Sequence, residues 1–103
     1  MLLRVLTRKP DTAPEDLTPI PEVRQRMLAA LHDCEGVPTD RLIHAINGTC
    51  NGYELWLLRS GIFMCVSQRH GETVAADRIN LLLPLFEGRV PPEQLAAVRT
   101  STY

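Results

Sequence analysis

The chain has 103 residues and a formal charge of -1, with 45% hydrophobic and 22% charged residues. That length suits one domain with a single core, which needs neither metal nor disulfide staples. So even a charge balance excludes the broad basic footprint usual in proteins that bind nucleic acid or acidic membranes. Ten of the eleven basic residues are Arg, the bias that a GC-rich bacterial genome imposes.

The opening MLLRVLTRKP is too short for a signal sequence, Arg4 interrupts its apolar run, and no small-residue cleavage site follows. The expected location is therefore cytoplasmic, with Cys34, Cys50 and Cys65 as free thiols. Residues 8–21, RKPDTAPEDLTPIP, hold four of the eight prolines. Proline removes backbone donors and restricts the preceding residue, so residues 1–18 are expected to form a proline-rich N-terminal arm.

A first helix is expected from Pro19 or Pro21 to Glu35, with Thr18 as its N-cap and prolines tolerated in its first turn. Ile20, Val23, Met27, Leu31 and Cys34 recur at spacings of three and four and make one apolar stripe. Gly36 would end this helix in a left-handed cap. A shorter helix follows over 39–47, capped by Thr39, with Leu42, Ile43 and Ile46 on its apolar side and Gly48 after it.

Residues 51–66 read NGYELWLLRSGIFMCV, with Glu54 and Arg59 the only charges. The stretch is shorter than the ~20 apolar residues of a membrane span, so no membrane partner is expected. Asn51 and Glu54 have capping-box spacing, and the leucines favour a helix, bent or broken near Gly61. The alternative is an α+β fold with a hairpin at 53–68, in which 53–59 pairs with 62–68 around Ser60-Gly61. Continuous apolar runs without alternation argue against it.

A further helix is expected from Glu72 to Leu83, with Ala75, Ile79, Leu82 and Phe86 on one side and Pro84 bending or ending it. EGRVPP makes a turn, and a last short helix covers 92–99. The fold class is then all-α, a single domain of about five short to medium helices.

The elements ELWLLRSG, RHGE, DRINLLLPLF and EGRVP, within residues 54–92, resemble small uncharacterised proteins of proteobacteria, several of them on genomic islands or integrating elements. The resemblance implies a helical, bacterial, cytoplasmic accessory protein. It transfers no active site.

No motif for chemistry stands out. His32, Cys34, His44, Cys50, Cys65 and His70 are the soft metal ligands, and they show neither the C-x₂₋₄-C nor the H-x₃₋₅-H spacing of structural zinc. A site assembled from Cys34, His44 and Cys50 is conceivable, but core thiols and surface histidines are the expected reading. No nucleophile elbow or glycine-rich phosphate loop is present. The reading is therefore non-enzymatic, with no cofactor and no metal.

Two binding readings remain. A helix apolar all round has more surface than four short neighbours can cover, which points to a homodimer or another protein partner. Tyr53, Trp56, Arg59 and Phe63 are the expected interface anchors, since aromatic residues and Arg dominate such contacts. The second reading is a DNA-binding regulator, with residues 21–47 as a helix-turn-helix and Thr39, Arg41, His44 and Asn47 in the major groove. Against it, Asp40 would face phosphate, and Arg41 is the sole basic side chain of that helix besides His44. Arg4, Arg8 and Lys9 are read as a solvated terminus.

Overall fold

The computed structural model describes residues 17–96. The arm before Leu17 and the last residues of the expected 92–99 helix lie outside that range. Five α-helices follow one another: α1 (Ile20–Ala29), α2 (Val37–Asn47), α3 (Gly52–Leu57), α4 (Arg59–His70) and α5 (Glu72–Leu82). Two 3₁₀ turns, Leu83–Phe86 and Pro92–Leu95, complete the elements of the described residues. The all-α expectation holds, and no strand forms among the described residues, so the hairpin alternative at 53–68 is overturned.

The helix boundaries differ from the expected ones for local reasons. Pro19, not Thr18, occupies the N-cap of α1, and its carbonyl accepts from the amides of Glu22 and Val23. The helix stops at Ala29, six residues early, and tightens into turns closed by Leu31 N–H to the Leu28 carbonyl and Cys34 N–H to the Leu31 carbonyl. The apolar stripe survives this change of winding: Val23, Met27, Leu31 and Cys34 are buried, and Ile20 at its start is half-buried against them. Gly36 has φ 113° and begins α2 instead of closing α1, with Pro38 in the first turn behind it. Thr39 is consequently inside the helix and buried, not a cap.

Asn51 caps α3 as its spacing predicts, its Oδ1 accepting from the Glu54 amide at 3.0 Å. The return arm of the box runs through a hydroxyl. Thr49 Oγ1 donates to Glu54 Oε1 at 2.6 Å and accepts the Asn51 amide at 3.2 Å. The apolar stretch then breaks at Leu58, not at Gly61. Gly61 sits inside α4, where a Cβ would lie 3.0 Å from Leu42 Cδ1. Its bare Cα lets α2 and α4 approach closely, which is a packing role and not a breaking one.

Gly71, at φ 95°, is the whole link between α4 and α5, and these two helices form the most extensive helix pair in the fold. Pro84 ends α5 in the 3₁₀ turn that buries Leu83, Leu85 and Phe86. The core is continuous: α1 gives Val23 and Met27, α2 Leu42 and Ile46, α3 Leu55 and Trp56, α4 Ile62 and Val66, and α5 Ala75 and Ile79. Trp56 meets Phe86 edge-on with ring centroids 5.1 Å apart. Arg24 clamps α1 to the end of α2, donating to the Ile46 and Thr49 carbonyls, where a cation suits the negative helix terminus. Arg89 lies across Gly52 and donates to the Thr18 carbonyl at 2.8 Å, tying the residue before the Pro19 cap to the turn after Phe86.

Candidate functional site

Three places bring chemically useful groups together. The first is a groove between α4 and α5 lined by Arg59, Ser60, Phe63, Met64 and Ile79. Arg59 is its one charged member. The Arg59 guanidinium lies 3.6 Å from the Trp56 ring centroid and donates to the Trp56 carbonyl at 2.9 Å. Burial lowers the pKa of that guanidinium from its ordinary value, which marks it as partly desolvated. A desolvated cation–π contact is worth ~2 kcal/mol, more than an exposed one. Met64 projects at the groove with 57% of its surface exposed.

Of the four expected anchors, Phe63 and Arg59 line this groove and are partly buried. Tyr53 is exposed on α3 together with Leu57, one turn further along. Trp56 is corrected: at 2% exposure it belongs to the core, and its ring serves the surface only by holding Arg59 in place. Helical spacing puts Trp56 near Tyr53 and Phe63 but does not say which side faces inward. Met64 is the groove residue missed from sequence, because a Met in an apolar run is indistinguishable from a core residue until its side is known.

The second place is the outer side of α2. Arg41, His44 and Asn47 are exposed there, whereas Thr39, 3% exposed, is not available to a ligand. His44 shares a shallow recess with Glu54, Leu57 and Leu58, so α3 and an acidic side chain stand beside the expected reading face. The other residues lining that recess bring no Lys or Arg to it.

The third is an ionic cluster at the turn after α1. Asp33 accepts both guanidinium arms of Arg78, at 2.7 and 2.9 Å, and Arg78 also donates to the Ala30 carbonyl at 3.0 Å. His70 Nε2 is 2.9 Å from Asp33 Oδ2, and His32 Nε2 is 3.8 Å from the same oxygen. Hydrogen bonding from Arg78 above all holds the Asp33 carboxyl far below the usual carboxylate range, against the opposing pull of partial burial. The Cys34 thiol is 3.9 Å from Asp33 Oδ1. Burial first and the neighbouring carboxylate second push that thiol up, so it is no activated nucleophile. Cys34, His44 and Cys50 do not assemble; among the described residues the group that does is Asp33, Cys34 and His70. All three thiols are unbridged, with Cys34 buried, Cys65 half-buried and Cys50 exposed.

Compared with protein-family models, curated proteins and solved structures, the chain gives no significant match in any of the three. Among the described residues, no helix is long and apolar enough to cross a membrane.

Proposed function

We propose that this protein is a non-catalytic accessory or regulatory factor that works by binding protein, acts in the cytoplasm, and pairs with a second copy of itself. The observation that carries the reading is the α4–α5 groove with Met64 at its edge. One patch offers both a recess and a projecting apolar side chain, which is what a two-fold, self-complementary contact needs. Arg59, fixed by Trp56, supplies the polar anchor that interface cores favour. The exposed Tyr53 and Leu57 extend the apolar surface of the neighbouring helix.

Light scattering on the wild-type chain across a hundredfold dilution tests the reading. The expected result is a mass near twice 11.6 kDa that falls on dilution. Met64→Arg should shift the protein towards monomer without unfolding it, since Met64 is exposed. A single species at the monomer mass throughout rejects self-association.

A further inference from the structure

We propose that Asp33, Cys34 and His70 form a binding site for a divalent transition-metal ion of the zinc class. The site joins the turn after α1 to the end of α4. One ligand atom from each residue lies within 4.8 Å of the other two. His70 Nε2 is 2.9 Å from Asp33 Oδ2, and the Cys34 sulfur is 3.9 Å from the other carboxylate oxygen, Oδ1. Zinc bonds of ~2.0–2.3 Å in a tetrahedron put its ligand atoms about 3.3–3.8 Å apart. The ligand atoms already lie within 4.8 Å of one another, so side-chain rotation without movement of the helices can bring them to that spacing.

The ligand set of carboxylate, thiolate and imidazole is the mixture that suits zinc and excludes the all-oxygen preference of calcium and magnesium. Two further features match a built site. Arg78 is the outer partner that orients the carboxylate, and it is itself anchored on the Ala30 carbonyl. On binding, one carboxylate oxygen turns to the ion while the other keeps its bond to Arg78. A small cavity lined by Cys34, Glu35, Thr39, Cys65, Gln68 and Arg69 opens on the thiol side of the cluster. Water or the exposed His32 at the rim fills the fourth position. Coordination releases the thiol proton of Cys34 to solvent, and His70 binds as the neutral imidazole with its one ring proton on the other nitrogen.

Sequence spacing hides this site, because Asp33 and Cys34 are adjacent and His70 comes from another element. The arrangement is independent of the α4–α5 groove, so it stands or falls apart from self-association.

The test is titration of the full chain with Co(II) under reducing conditions. The expected result is one cobalt per chain, with a thiolate-to-cobalt charge-transfer band and the visible bands of tetrahedral coordination, all displaced by Zn(II). His70→Ala, at an exposed position, should keep the helical spectrum and lose at least tenfold in apparent Zn(II) affinity. Cys34→Ser should remove the charge-transfer band, while Cys50→Ser leaves it unchanged. Absence of the band at stoichiometric cobalt in the wild-type chain, or its persistence in Cys34→Ser, overturns the site and leaves an Arg-paired carboxylate only.

Discussion

At Asp33 the carboxylate takes Arg78 from α5 and His70 from the end of α4, so one side chain in a turn holds three parts of the fold together. Its pKa is depressed in the folded state, so its stabilising contribution is complete above the unfolded value of about 3.9. That contribution is lost as pH falls below that value towards the folded pKa. The thermal midpoint of the chelator-treated protein should therefore fall on acidification below about pH 4, and Asp33→Asn should flatten that part of the curve. Equal acid sensitivity in the variant would reject the role given to the pair. The thiols make a second test at this scale. Cys50 should react with a thiol reagent first, Cys65 more slowly, and Cys34 slowest, since it is buried and its thiol is pushed up. Simultaneous labelling without denaturant would contradict the burial order. The Asn51 cap was legible in the sequence because its partner is three residues away. Asp33 was not, because Arg78 lies 45 positions on and no local pattern pairs them.

Helices declared themselves through periodicity, but their ends were decided by contacts. The stripe from Val23 to Cys34 predicted burial correctly while concealing that the winding tightens after Ala29. A 3₁₀ turn and an α-helix both bring positions three apart to one side, so the pattern cannot separate them. Gly61 misled in the opposite way. A glycine in an apolar helix signals either a break or a close crossing, and only the position of Leu42 shows which. The two effects of Gly61→Ala oppose each other. A better helix former gains ~1 kcal/mol, and crowding Leu42 costs ~1 kcal/mol or slightly more. The unfolding free energy should thus change by less than about 1 kcal/mol. Gly61→Val adds bulk that the leucine cannot clear and should destabilise by ~1–3 kcal/mol, read by denaturant titration. A neutral Gly61→Val would show that α2 and α4 are not in close contact there. Asn51→Ala, which removes the side-chain acceptor for the Glu54 amide, should cost ~1 kcal/mol in the same assay.

On the scale of the whole molecule, the core and the proposed binding surface draw on the same apolar stretch, and separating them requires residues that serve one role alone. Trp56 serves the core: it is the only tryptophan and is buried edge-on against Phe86. Met64 serves the surface. The core runs unbroken through all five helices, so unfolding should be one cooperative event in which tryptophan fluorescence and far-UV circular dichroism follow the same curve. Trp56→Ala should cost ~3–5 kcal/mol, a large share of the ~5–15 kcal/mol available to a domain of this size. That variant should be largely unfolded or melt far below wild type, by circular dichroism, and its oligomeric state would then report folding and not contact. Met64→Arg should show the reverse pair of results, a near-native unfolding curve at low concentration with weakened self-association. If Met64→Arg melts as early as Trp56→Ala, the groove is part of the core and the interface lies elsewhere. If Trp56→Ala melts with wild type, the tryptophan does not organise the core, and the coupling of Arg59 to a buried ring goes with it.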